Sequence, residues 1–203
     1  MRPWSDAFPE SGEIPPEHTK DGYNTSPSFR WADLPADTRE LALILEGVTP
    51  ATDEPWVHWL VYKIPAEAEG LPQGFKHMRE PEEPLHVLQG SNSLGSVGYD
   101  GPQGAIGRKF RYCIHLLALD DAIDAEPGLD KKGFEKIIKG HLLEEAELDA
   151  SYERHSGQAS DDEEAVACVI CATNPNSHIP WPGSSRPSTS PYDLFAERGC
   201  LRN

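Results

Sequence analysis

The residues best able to do chemistry lie in a few short stretches. His58 stands between Trp56 and Trp59 in a run of apolar residues, and Glu46 closes the run before it. If those two runs pair as strands, the carboxylate and the imidazole meet near one sheet end. That is the pair an acid-base mechanism would use, although a strand histidine more often makes a structural hydrogen bond. The loop Gly95-Ser96-Val97-Gly98-Tyr99-Asp100-Gly101-Pro102 is glycine-rich ahead of another strand-like run. Glycine lets backbone amides converge on an anion, and it also makes ordinary loops. Cys168-x-x-Cys171 could join His178 or Cys200 as zinc ligands, but these spacings match no standard finger. The two cysteines read as incidental, and no metal or cofactor is expected. There is no G-x-S-x-G, H-E-x-x-H, Walker loop or strand-linked G-x-G-x-x-G, so the common hydrolase, protease and nucleotide-binding signatures are missing.

The elements that must position these residues can be read from periodicity. Glu40–Glu46, Val57–Ile64 and Lys109–Leu119 are short apolar or alternating runs bounded by Pro, Gly and Asp, which is strand behaviour. In the last run Phe110, Tyr112, Ile114, Leu116 and Ala118 share one face, and Arg111, Cys113, His115 and Leu117 the other. After Asp130, an expected N-cap, Phe134, Ile138 and Leu142 recur every four residues and predict one or two short helices. Strands first and helices last describe a β-rich α+β domain over residues 1–154. Residues 155–203 are first acidic, then rich in Pro and Ser without periodicity, and are expected to be mostly disordered.

Charge narrows the partners. Eighteen Lys and Arg against 34 Asp and Glu give a net charge of −16 over 203 residues, which disfavours nucleic acid and anionic membrane surfaces. The longest aliphatic run, Leu41–Leu45, is too short to insert in a bilayer, and Met1–Pro16 has no signal-peptide core. Four cysteines make no disulfide scaffold, so the expected location is the cytoplasm.

The order of several blocks carries a more specific signal. Phe8-x-x-x-Gly12-x-Ile14-Pro15 is followed by Asp21-Gly22-Tyr23-Asn24-Thr25-Ser26-Pro27-Ser28-Phe29-Arg30-Trp31, then by His58-Trp59-Leu60-Val61-Tyr62-Lys63-Ile64-Pro65. Gly98-Tyr99-Asp100-Gly101-Pro102 and Phe110-Arg111-Tyr112 with Ala118-Leu119-Asp120 come next. This order resembles the phosphatidylethanolamine-binding, Raf-kinase-inhibitor-like family, and most of all its microbial branch. The resemblance covers residues 8–154. It implies a large central β-sheet, a smaller sheet and C-terminal helices, with Gly140–Tyr152 as the last helix. It also implies a small pocket for phosphate- or carboxylate-like anions, and a binding protein with possible kinase or protease partners rather than an enzyme.

Carried onto this chain, the ligand-binding residues implied are Glu46, Pro50, His58, Gly101, Pro102, Phe110, Arg111 and Tyr112. Two positions depart from the family pattern. The D-P-D-x-P segment reads Glu46-Gly47-Val48-Thr49-Pro50, and the first residue of H-R-Y is Phe110. A charge-assisted hydrogen bond contributes about 1.5–3 kcal/mol, so losing one lowers the expected anion affinity roughly ten- to a hundredfold. Two other readings are a hydrolase or isomerase using Glu46 and His58 as acid-base pair, and a scaffold acting through the tail.

Overall fold

The computed structural model describes residues 1–48 and 54–156. The predicted strands appear as β3 (Glu40–Val48), β4 (Trp56–Pro65) and β7 (Lys109–Leu119). With β6 (Leu88–Gln89) and β8 (Leu142–Glu153) they form a five-stranded antiparallel sheet in the order β6-β4-β3-β7-β8. A smaller antiparallel sheet combines β1 (Arg2–Trp4), β2 (Phe29–Ala32) and β5 (Gly70–Leu71) in the order β1-β2-β5. The large central sheet with a smaller companion is the architecture expected from the sequence.

Both faces of the large sheet are covered, which explains why β3 reads Leu41-Ala42-Leu43-Ile44-Leu45 without a polar interruption. On one face Leu41, Leu43, Leu45, Trp59, Tyr112, Ile114 and Leu116 pack with Phe29, Trp31 and Leu71 of the small sheet. On the other, Ala42, Ile44, Leu60, Tyr62 and Leu117 pack with Phe134 and Ile138. The two faces read from β7 are therefore the two faces found. Trp59, fully buried, donates its indole N–H to Gln89 Oε1 at 2.7 Å. The Gln89 amide nitrogen in turn donates to the carbonyls of Lys76 and Met78, so this buried amide is satisfied at both ends.

The helix is shorter than expected, and the segment after it is not helical. Helix α1 spans Lys131–Ile137, and the Asp130 side chain caps it by accepting from the Gly133 amide at 2.8 Å. The chain turns at Gly140 and returns as β8, paired with β7 along its whole length. Residues 140–152, expected as a C-terminal helix, are therefore mostly strand. A four-residue spacing is also a multiple of two, so Leu148 and Tyr152 satisfied both periods. The inward residues are Leu148, Ala150 and Tyr152, alternating with outward Glu145, Glu147 and Asp149. The unpaired edge of β7 decides between the two. From Gly157 onward, including Cys168, Cys171, His178 and Cys200, the predicted tail lies outside the described residues.

Candidate functional site

The site is made by an irregularity in the pairing of β3 with β4. Leu45 pairs with Trp59, but Glu46 pairs with Val57, so His58 is passed over in the register. A bulge of this kind re-aims a side chain. Regular alternation would place His58 on the same face as Leu60; the bulge turns it to the face of Trp59. There its ring meets Tyr112 of β7 edge-on, with centroids 5.3 Å apart. Gly47 forms the floor beneath the two rings. A Cβ at that position would lie 3.0 Å from His58 Nε2 and 3.3 Å from Tyr112 Cε1, so a side chain there would push both rings aside.

The glycine-rich loop holds the imidazole. The Asp100 amide donates to the His58 carbonyl at 2.9 Å, and His58 Nδ1 lies 2.5 Å from the Asp100 carbonyl. A carbonyl can only accept, so Nδ1 carries the proton and Nε2 presents a lone pair beside Gly47 and Tyr112. Burial holds the imidazole below its ordinary value. The Asp100 carbonyl and carboxylate pull the other way, and Lys20 adds a smaller downward push. Lys20 is itself occupied, its ammonium 2.7 Å from Asp100 Oδ2. Burial also raises the Tyr112 phenol, with Tyr152 and Asp21 adding to the effect, so its hydroxyl stays protonated.

The loop does not act as an amide cradle. The Gly101 amide donates to Asn24 Oδ1 at 2.7 Å, the Asp100 amide is spent on His58, and the Gly95 amide on the Asn92 carbonyl. Gly101 is a glycine because a Cβ would lie 2.5 Å from the His18 carbonyl oxygen and 2.7 Å from Asn24 Oδ1. The Pro102 carbonyl accepts from the Lys20 amide at 2.9 Å. The loop thus ties the Lys20–Asn24 segment to the strand end and aims His58.

Of the residues expected at the site, the structure sets His58 against Tyr112, while Gly101 and Pro102 directly follow the Asp100 that holds the imidazole. Phe110, two residues before Tyr112 on the same side of β7, is half-buried against Gly104, where a Cβ would lie 2.7 Å from its ring. Two expectations are corrected. Glu46 points to the opposite face of the sheet, its Oε1 2.6 Å from Lys131 Nζ and its Oε2 3.7 Å from His115 Nε2. It neither orients His58 nor shares a proton with it, which removes the Glu46/His58 acid-base pair. Arg111 alternates away from Tyr112 and lies 3.6 Å from Asp149. Pro50 lies outside the described residues. Sequence reasoning missed Gly47, Asn24, Lys20 and Asp100. Asn24 and Asp100 stood within the quoted Asp21–Trp31 and Gly98–Pro102 blocks, but nothing local reveals that these two segments and His58 meet in space.

A family model described as phosphatidylethanolamine-binding protein matches residues 4–153. A UPF0098 protein of Methanothermobacter thermautotrophicus is 37% identical over 149 residues, covering 73% of this chain and 95% of that one. A crystal structure of a phosphatidylethanolamine-binding protein homologue from Chlamydia trachomatis superposes with a TM-score of 0.66 at 30% identity, covering 75% of this chain and 96% of that one. Escherichia coli YbcL, at 24% identity and a TM-score of 0.68, shares the fold over 75% of this chain and 97% of its own. The chain belongs to the phosphatidylethanolamine-binding protein family. Among the described residues no helix is long and apolar enough to cross a membrane.

Proposed function

We propose that the chain is a non-catalytic, cytoplasmic binding protein that takes a small phosphate- or carboxylate-bearing ligand beside His58 and Tyr112. One observation carries the reading. His58 is held by Asp100 with Nε2 directed over Gly47 beside a tyrosine whose hydroxyl stays protonated. Tyr112 would donate to a ligand oxygen. Neutral His58 offers a lone pair, so it would either accept from a ligand that brings its own proton, such as hydrogen phosphate, or take up a proton and donate to an anion. Among the described residues nothing at the site supplies a nucleophile, and the Glu46 carboxylate faces the other way, so binding is favoured over hydrolysis or isomerisation. Phe110 supplies an apolar wall, favouring ligands with a carbon substituent next to the anionic group. A kinase or protease partner would be engaged by presenting such a group to this pocket.

The test is an NMR titration of the whole protein with phosphate, phosphoethanolamine and acetate, following the His58 imidazole and the Tyr112 ring. Saturable shifts at both, abolished by His58→Ala, are expected. Acetate affinity should rise as the pH falls from about 7.5 to 6, because binding favours protonated His58 and acetate itself stays ionised there. Absence of shifts at millimolar ligand, or shifts that survive His58→Ala, would overturn the proposal.

A further inference from the structure

The face of the large sheet turned away from the small one carries a grouping that the His58 site does not use. Along β7 and β8, Cys113 stands opposite Asp149 and His115 opposite Glu147, while β3 sets Glu46 against Cys113. The pleat sends these side chains to one side of the sheet together with Glu145. The ligand atoms of Cys113, His115 and Glu147 all lie within 4.8 Å of one another. Glu145 Oε1 is 2.8 Å from His115 Nδ1, and Oε2 of the buried Glu46 is 3.7 Å from Nε2.

We propose that Cys113, His115 and Glu147 form a binding site for a thiophilic divalent cation of the zinc class, with a fourth position open to water or to a further ligand. The donor set makes the choice of ion. A thiolate, an imidazole and a carboxylate suit zinc-like ions, whereas magnesium and calcium take oxygen alone. Tetrahedral coordination with bonds of about 2.0–2.3 Å places donors roughly 3.5 Å apart. The present spread, at most 4.8 Å, is wider than that, so the donors would draw in by side-chain rotation on binding. A metal-binding imidazole usually has its second nitrogen fixed by a carboxylate, and here each nitrogen has one at hand.

The surrounding charge points the same way. Glu46, Glu145, Glu147 and Asp149 gather around Cys113, against Lys131 beside Glu46 and Arg111 beside Asp149. Like charges crowded across a strand pair are destabilising without a counter-ion, so this face gains from a bound cation. A cleft of about 340 Å³ between the sheet and α1 is lined by His115, Lys131 and Glu145 and so reaches the His115 side of the grouping.

The experiment uses the full chain with Cys168, Cys171 and Cys200 replaced by serine, which leaves Cys113 as the one thiol. Cobalt(II) is the probe. The expected result is a near-ultraviolet thiolate-to-cobalt charge-transfer band that saturates at one ion per chain and is displaced by zinc but not by magnesium. Cys113→Ser should abolish the band with the far-ultraviolet circular dichroism unchanged. Glu147→Gln, on an exposed side chain, should weaken cobalt binding at least about tenfold with the far-ultraviolet circular dichroism again unchanged. No band in the triple-serine chain, a band that survives Cys113→Ser, displacement by magnesium, or unchanged affinity in Glu147→Gln would each overturn the proposal.

Discussion

At the scale of single residues, the site depends on which way two side chains face. Glu46 and His58 sit on strands that pair, yet they occupy opposite faces of the sheet. Glu46→Gln should therefore leave ligand-induced shifts at His58 and Tyr112 unchanged within about twofold. The same change should lower stability by about 1–3 kcal/mol, because a buried carboxylate loses its ion pair with Lys131 and leaves polar groups poorly paired. Chemical denaturation of the variant and a repeat of the anion titration check both halves.

His58 makes a second prediction. Burial lowers its folded-state pKa, so the folded protein resists taking up a proton that the unfolded chain accepts at its ordinary value near 6.5. The resulting stability is fully present above about pH 6.5 and is lost as the pH falls below it. The charged groups facing the ring are Asp100 and Lys20, with the Tyr112 phenol beside them. Urea midpoints of the wild-type protein should thus drop more steeply between about pH 7 and 5.5 than those of His58→Gln; parallel curves would contradict the assignment.

At the scale of elements, regular periodicity located strands well and failed where two periods coincide. Val57–Ile64 and Lys109–Leu119 stood out because each alternates or runs apolar between breakers, and both are strands in the fold. Leu148 and Tyr152 are four apart, which suits a helix turn and a strand face equally. Only the available edge of β7 made that segment a strand. Helix α1, seven residues long, is too short to be stable from propensity and relies on its cap and on burial of Phe134. Asp130→Ala removes the acceptor for the Gly133 amide and should cost about 0.5–2 kcal/mol, read from thermal or urea unfolding. Anion titration of that variant should be unchanged, since α1 covers the face opposite His58.

At the scale of the whole molecule, the residues that build the two sheets and the His58 site all lie between Arg2 and Arg154. Met1–Ser160 forms one compact unit. A chain ending at Ser160 is therefore expected to keep its melting temperature within a few degrees and to show the same His58 and Tyr112 shifts on anion titration. Loss of those shifts on truncation would move the recognition element to residues 161–203 and favour the scaffold reading.

The residue types and their order were enough to determine the family, the large sheet with its smaller companion, the two faces of β7 and the Asp130 cap, and to single out His58 and Tyr112, which the fold sets side by side. These are local patterns or blocks in series, and a chain carries such information along its length. The direction of His58 was decided only in three dimensions. Strict alternation made Glu46 and His58 cross-strand neighbours, and a one-residue slip in register separated them. The fate of Gly140–Tyr152, the spending of the Gly101 amide on Asn24, and the meeting of Cys113, His115 and Glu147 were likewise tertiary. Each depends on what lies across a strand or under a loop, and no spacing along the chain records that.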